Sequence, residues 1–215
     1  MRKIIKIALC VMFVISIIFL LTASNRIIEY EVEYVAAQEE YRELRLLALV
    51  ETQIYQPYEA PETEGVNINF DALRAINSGT VGWIRLHDSD ISYPIVQGTD
   101  NRHYLYYTFT HHQNSAGAIF LDYRDDGGFN GLARVYGHNM QNGSMFGTLR
   151  TWQGENIIIH IPAGHKNYTV HWRGIMTESD IVRANFSTDL VLITCVTGNR
   201  YVRYVIRAQR SAGNN

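Results

Sequence analysis

The start of the chain is a basic tip followed by an apolar run. Residues 1–6 include three basic side chains, and residues 7–23 are apolar apart from two hydroxyl residues. A run of this length matches the roughly 17–25 residues that span a bilayer. The basic tip predicts a cytoplasmic N-terminus and an extracellular remainder. We therefore predict a membrane anchor over residues 1–24, with a cleaved signal peptide ending near Ala23 as the alternative.

A charged pattern follows from Asn25 to about Gln53. Apolar residues recur there at three- and four-residue spacing among Glu and Arg, which predicts a helix. We interpret this helix as a stalk that spaces the domain from the membrane, with packing against the domain as the alternative. Residues 56–62 contain two prolines and predict a linker, so stalk and linker together occupy residues 25–65.

The remaining residues, 66–215, have the pattern of a mainly β domain. Asn69 is a predicted N-cap for a short helix over residues 70–77, which Ser78 and Gly79 end. Apolar and β-branched runs between Gly, Asn and Asp turns then predict eight strands, at residues 81–86, 91–96, 118–121, 133–136, 157–161, 168–172, 190–194 and 201–208. Many short strands of this kind are typical of a β-sandwich or a closed barrel.

Charge and cysteine content narrow the function. The net charge of the 215 residues is -2 with no basic block, so nothing indicates a nucleic-acid partner. The two cysteines, Cys10 and Cys195, lie in the apolar run and near the far end, which makes a disulfide between them implausible. An unpaired thiol in an extracellular domain is either buried and inert or kept for chemistry.

Three side chains at strand ends suggest chemistry. Cys195 closes an apolar strand, where a sheet holds a nucleophile rigidly at the surface, although buried packing is the alternative. His138 follows the strand at 133–136, and imidazole takes up and returns protons near neutral pH. If the strand ending at Cys195 pairs with the one at 201–208, Arg203 lies close to the thiol and offers fixed donors to a developing charge.

The other histidines and arginines are rivals for these roles. Arg207 shares a strand face with Arg203, while Arg200 takes the opposite one. His160 and His171 lie along a predicted hairpin and could approach each other, with His165 between them. No carboxylate or thiol joins these histidines at ligand spacing, so we predict no metal site.

Taken together, these segments resemble the sortase family, and most closely its class B. The resemblance covers about residues 70–209. Its key segments are Leu192-Ile193-Thr194-Cys195, Tyr136-Gly137-His138-Asn139-Met140 and Arg203-Tyr204-Val205-Ile206, and further similar segments lie at 81–84, 93–98, 100–101, 117–124 and 143–147. Several segments in the same order make the resemblance specific, whereas the Thr-Cys pair alone would not.

The resemblance implies a closed eight-stranded β-barrel that acts as a single-pass membrane transpeptidase. Cys195 would cleave the C-terminal sorting signal of a secreted protein after a threonine and form a thioacyl intermediate. An amine from a cell-wall precursor or a pilin lysine would resolve it, with His138 as acid and base and Arg203 binding the intermediate. No cofactor is implied. The residues implied to contact the sorting peptide are Asn101, Leu105, Tyr136, Ile193 and Thr194.

One departure from the family leaves the substrate open. Class B sortases usually carry a long helical insert before the cysteine strand, and residues 173–189 are too few for it. The sorting motif, and the choice between wall anchoring and pilus polymerisation, therefore stay undecided. A protease that hydrolyses the acyl-enzyme and a catalytically idle peptide-binding barrel are the alternative functions. The enzyme hypothesis requires the thiol, imidazole and guanidinium to face one cleft.

Overall fold

The computed structural model describes residues 2–50, 67–184, 186 and 190–211. Its helices are α1 (Arg2–Ala48), α2 (Phe70–Ile76), α3 (His103–Tyr106) and α4 (Glu178–Arg183). Its strands are β1 (Leu49–Val50), β2 (Asn67–Ile68), β3 (Thr80–Leu86), β4 (Ser92–Val96), β5 (Ile119–Leu121), β6 (Ala133–Tyr136), β7 (Asn156–Ile161), β8 (Gly164–Thr177), β9 (Leu190–Val196) and β10 (Asn199–Arg210).

Eight of these strands form a closed barrel in the order β10-β8-β7-β3-β4-β5-β6-β9, and β9 returns to pair with β10. Two neighbouring pairs are parallel, β4 with β5 and β6 with β9, while the others are antiparallel. The predicted eight-stranded barrel is confirmed, and it replaces the sandwich alternative. Closure leaves none of these eight strands with an unpaired edge.

The barrel encloses an apolar core. Trp83, Ile95, Ile119, Val135 and Leu192, from five different strands, are each fully buried. Such strands carry continuous apolar runs because side chains on both faces are covered, which explains why residues 190–194 show no polar alternation. This continuity makes the strand ends, where polar residues begin, the places at which functional side chains emerge.

Helix α1 is one continuous helix of 47 residues, about 70 Å long at 1.5 Å per residue. Its first half is long and apolar enough to cross a membrane, with a mean hydropathy of 3.0 over the most apolar window, and is a candidate membrane anchor. The predicted helix end near Gln53 is wrong, because Leu49–Val50 pair with Asn67–Ile68. The division at residues 24 and 65 stays a prediction, since α1 runs through the first boundary and the linker at 56–62 lies outside the described residues.

The second half of α1 packs on the barrel, so our preference for a free spacer is wrong. Ala37, Tyr41, Leu44 and Ala48 recur at helical spacing and are at most 5% exposed. Apolar residues at this spacing form one face of a helix, and the barrel covers that face. The same apolar pattern fits a spacer and a docked helix, which is why the sequence did not separate them.

The short elements largely follow the predicted pattern. Asn69 caps α2, accepting a hydrogen bond from the amide N of Ala72 at 3.0 Å. The largest error concerns β8, which spans Gly164–Thr177 rather than residues 168–172. Its register with β7 places His165, not His171, opposite His160, so the expected approach of His160 and His171 is wrong.

Candidate active site

The parallel pairing of β6 and β9 brings His138 beside Cys195. Tyr136 and Ile193 are partners in this ladder, and the amide N of Gly137 donates to the carbonyl of Ile193 at 3.2 Å. His138 lies two residues after Tyr136, and Cys195 two residues after Ile193. Equal offsets along parallel strands lie at the same level and on the same face, so the two side chains emerge together.

Cys195 is exposed, while the residue before it holds the two strand ends together. Thr194 is 3% exposed, and its hydroxyl donates to the carbonyl of Gly137 at 2.8 Å. On the other side, Asn139 Nδ2 donates to the carbonyl of Cys195 at 3.0 Å. These two bonds flank His138 along the chain and fix its segment to the cysteine strand. The sulfur is therefore accessible to a ligand, while hydrogen bonds on both sides hold the backbone of Cys195 in place.

A hydrogen bond defines which nitrogen of the His138 imidazole carries the proton. Its Nε2 lies 2.8 Å from the carbonyl O of Leu105, and a carbonyl only accepts, so Nε2 carries the proton of this bond. In the neutral ring, Nδ1 is then the free base nitrogen. The carbonyl of His138 accepts from the amide N of Phe146 at 2.9 Å, which fixes the backbone of the same residue.

Arg203 lies directly across the antiparallel β9–β10 ladder from Cys195. Residues that face each other in this way project to the same side of the sheet. The guanidinium donates from Nη1 to the carbonyls of Arg200 and Val202 at 2.9 and 3.0 Å, and Nη2 lies 3.3 Å from Glu178 Oε2. Arg203 thus stands beside the sulfur, held by backbone carbonyls and a carboxylate from α4.

All eight residues singled out from the sequence line one cleft of about 190 Å³. They are Cys195, His138, Arg203, Asn101, Leu105, Tyr136, Ile193 and Thr194. A thiol, a proton carrier and a fixed cation that share a cleft can attack a carbonyl, protonate the departing group and stabilise the oxyanion between them. Their roles in such chemistry stay a prediction.

The family model of the sortase domain matches residues 84–211 of the sequence. This range is more than half of the chain and contains Cys195, His138 and Arg203. The chain belongs to the sortase family. The curated sortase B of Listeria monocytogenes is 38% identical over 104 residues, which are 46% of this chain and 42% of that protein. The sortase B of Staphylococcus aureus is 29% identical over 153 residues, 71% of this chain and 58% of that protein. The chain therefore spans about half the length of these curated relatives.

The barrel of this sortase is also similar to solved class B sortases. The sortase B of Bacillus anthracis, in complex with AAEK1, superposes with a TM-score of 0.65 at 24% identity, covering 83% of this chain and 98% of that one. At this identity the superposition supports the fold alone. The shared fold is the closed eight-stranded barrel.

Beneath the cleft, this sortase carries a buried carboxylate that the sequence had not singled out for a role. Asp122 is fully buried and accepts from Arg124 Nε and Nη2, both at 2.8 Å, and from Asn101 Nδ2 at 2.9 Å. The hydroxyl of Tyr136 also donates to it, at 3.3 Å. Burial and the charge of Asp122 together raise the pKa of Tyr136, so its phenol stays neutral. Asp122 therefore fixes two cleft residues, Asn101 and Tyr136, from below.

The cleft has a wall that the sequence also missed. Glu178, Ile181 and Val182 come from α4, a helix of six residues that follows directly on the extended β8. No local signal identified them, because their position depends on where β8 ends. A helix this short agrees with the expectation that residues 173–189 cannot hold a long insert. Val182 is 55% exposed, so an apolar surface is available at the rim of the cleft.

The described residues give no sign of a metal centre. Within residues 2–50, 67–184, 186 and 190–211, no three His, Cys, Asp or Glu side chains group as metal ligands. His160 and His165 lie with ring centroids 6.1 Å apart on the hairpin, and no acidic ligand joins them there. Neither ring lines the cleft that holds Cys195.

Proposed function

We propose that this sortase is a membrane-anchored cysteine transpeptidase that acts on C-terminal sorting signals. The observation that carries the proposal is the strand register around Cys195. A parallel ladder sets His138 at the level of the sulfur, and an antiparallel ladder sets Arg203 opposite it. Both neighbours are placed by backbone pairing, which favours a built site over chance proximity.

In the first half of the reaction, the Cys195 thiolate attacks the carbonyl carbon of the signal's threonine. The oxyanion forms beside Arg203, whose guanidinium supplies fixed donors. The C–N bond then breaks, His138 gives its proton to the departing amine, and a thioester to Cys195 remains. The peptide lies among the cleft residues Asn101, Leu105, Tyr136, Ile193 and Thr194. The hydroxyl of Thr194 donates to the carbonyl of Gly137 and so holds this part of the cleft wall in place.

In the second half, an amine attacks the thioester carbonyl. His138 takes a proton from this amine and the C–S bond breaks. The new amide leaves, and the Cys195 thiolate beside a protonated His138, with which the reaction began, is restored. An amine of a cell-wall precursor or of a pilin lysine fits this step. The exposed sulfur and the open side of the cleft leave room for a second, polymeric substrate.

The test uses the whole chain in detergent micelles, because removing α1 would uncover the apolar barrel surface on which Ala37, Tyr41, Leu44 and Ala48 pack. The protein is incubated with a library of sorting peptides and a glycine-based amine, and products are identified by mass. An amide product supports transpeptidation, an acid product indicates a hydrolysing protease, and the absence of turnover indicates an idle barrel. Cys195→Ala should abolish all product while Cys10→Ala should not, and activity that survives Cys195→Ala would refute the assignment.

A further inference from the structure

The second half of α1 contacts the backbone of Gly117, which lies next to His138. The hydroxyl of Tyr41, a residue that is 3% exposed, donates to the carbonyl of Gly117 at 2.8 Å. Gly117 has a φ of 55°, in the left-handed region that glycine adopts without strain. A Cβ placed on this glycine would lie 3.1 Å from Cδ2 of His138 and 3.1 Å from the carbonyl O of Leu105. The Gly117 backbone is thus so near the imidazole that no side chain fits between them without crowding the ring.

This contact matters because Leu105 is the partner of the same ring. The carbonyl O of Leu105 accepts the proton of His138 Nε2 at 2.8 Å. Gly117 therefore lies between α1 on one side and both the imidazole and its acceptor on the other. A displacement of Gly117 moves the ring or its hydrogen-bond partner, because close-packed groups cannot shift independently.

A second chain of contacts runs from Tyr41 to the backbone of His138. The ring of Tyr93 meets Tyr41 edge-on, with centroids 5.4 Å apart, and Arg45 of the same helix lies over its face at 4.9 Å. The hydroxyl of Tyr93 accepts from the amide N of Met145 at 3.0 Å. The next residue, Phe146, donates its amide N to the carbonyl of His138. Helix α1 is thus connected to both the side chain and the main chain of His138.

We propose that Tyr41 is a positioning residue for His138, which makes the membrane-proximal helix part of the catalytic structure as well as a tether. Its hydroxyl lines neither the cleft nor the surface around Cys195, so it acts through Gly117 and Leu105. The inference rests on the proposed function, since the orientation of the ring matters only if His138 exchanges protons with Cys195. The charged groups that share the cleft with His138, namely Arg124, Arg203 and Glu178, are untouched by a change at Tyr41.

The experiment compares Tyr41→Phe with Tyr30→Phe in the full chain, in micelles and in a Cys10→Ser background. Tyr30 lies on the same helix and is 55% exposed, so it is the matched control for loss of a phenol hydroxyl. The first readout needs no sorting peptide: it is the rate at which iodoacetamide alkylates Cys195, measured from pH 5 to pH 9. We expect a displaced pH profile and a rate near neutral pH about fivefold lower for Tyr41→Phe, the effect of one hydrogen bond. Tyr30→Phe should coincide with the parent protein.

The second readout is transpeptidation, in which kcat should fall about fivefold while KM for the sorting peptide stays unchanged. Tyr93→Phe removes the acceptor of the Met145 amide and should change the alkylation profile in the same direction, which provides a second variant if Tyr41→Phe folds poorly. Superimposable alkylation profiles for Tyr41→Phe and the parent would overturn the inference. If no peptide yields product in the parent protein, the proposed function fails, whereas the alkylation profiles still decide the role of Tyr41.

Discussion

Replacing Asp122 by asparagine tests whether the buried carboxylate beneath the cleft holds the groove together. The amide side chain keeps the shape of the carboxylate but lacks its charge and one of its acceptor oxygens. The paired bonds from Arg124 Nε and Nη2 need both oxygens, and the bond from Asn101 Nδ2 uses one of them. The substitution therefore leaves a guanidinium without its bidentate partner and weakens the hold on Asn101, whose Oδ1 still accepts from the amide N of Tyr123 at 3.0 Å.

The magnitude follows from the burial of the two partners. Breaking a fully buried ion pair on one side costs about 3–5 kcal/mol. Asp122 is fully buried, but the side chain of Arg124 is 43% exposed and can regain water, so we expect a loss of about 2 kcal/mol. For a chain of this size, that loss corresponds to a fall in Tm of roughly 4–8 °C. The KM for a sorting peptide should rise several-fold, because Asn101 lines the cleft.

The pKa of Asp122 determines how the difference in Tm between the parent and Asp122→Asn changes with pH. Burial disfavours the charged form of Asp122, but hydrogen bonds from Arg124 and Asn101 and the charge of Arg134 outweigh it, so its pKa lies well below the ordinary range. A carboxyl with a lowered pKa in the folded state stabilises the protein above its unfolded-state pKa, about 3.9, and less as the pH falls below it. The difference in Tm between parent and Asp122→Asn should therefore be constant from pH 8 to pH 5 and shrink below about pH 4.

The assay is thermal unfolding of the full chain in micelles, with Asp88→Asn as control. The carboxylate of Asp88 is 80% exposed and is paired with the half-exposed His87, so its loss should move Tm by less than about 1 °C. The reasoning is refuted if Asp122→Asn unfolds within about 1 °C of the parent at pH 7. A difference in Tm that widens on acidification would contradict the sign.

Two further substitutions test burial and close packing. Burial, then the charges of Arg85 and His165, lower the pKa of His160 to about 4, so the parent should lose up to about 3 kcal/mol of stability as the pH falls from 6.5 to 4. Urea unfolding of His160→Phe should lack this slope, and an unchanged slope would exclude His160 as its source. At Gly137, a Cβ would overlap Ile119 and lie 2.7 Å from Phe146, so Gly137→Ala should lower the free energy of unfolding in urea by about 1–3 kcal/mol. It should also lower kcat, because His138 is the next residue. Gly131→Ala, where a Cβ meets nothing within 4 Å, is the control, and equal losses at both positions would contradict the packing argument.

The sequence predicted the strands because their signals are local. Apolar runs, turn residues and the cap at Asn69 each lie within a few residues, and all eight barrel strands were found, although the ends of β8 were not. The candidate site was also accessible, since Cys195 and His138 each follow such a run and Arg203 lies on a hairpin partner. The closure of the barrel came from the resemblance, because the pattern of short strands alone also fits a sandwich.

Features that depend on contacts between residues far apart in the chain could not be predicted from the sequence. Asp122 occurs in a segment that looks like an ordinary turn, and its role requires Asn101, Arg124 and Tyr136 to converge on it. Glu178 reaches Arg203 only because β8 continues to Thr177. The docking of α1 depends on Gly117 and Tyr93, far along the chain from Tyr41. In each case the sequence shows the residue but not the surface that it meets.

The register of β6 and β9 is the feature that makes the site robust. Side chains alternate along a strand, so a slip of one residue would turn the side chain at the level of Cys195 to the other face of the sheet. The bonds from Thr194 to Gly137 and from Asn139 to Cys195 oppose such a slip from both sides of His138. Arg203 is held differently, because its Nη1 donates to the carbonyls of Arg200 and Val202 while its Nη2 is paired with Glu178, whose carboxylate is 74% exposed. An exposed ion pair contributes little free energy, so exchanging Glu178 for another anion at Nη2 would cost little. The barrel thus fixes the sulfur, the imidazole and Nη1 of the guanidinium, while Nη2 of Arg203 can exchange its anionic partner.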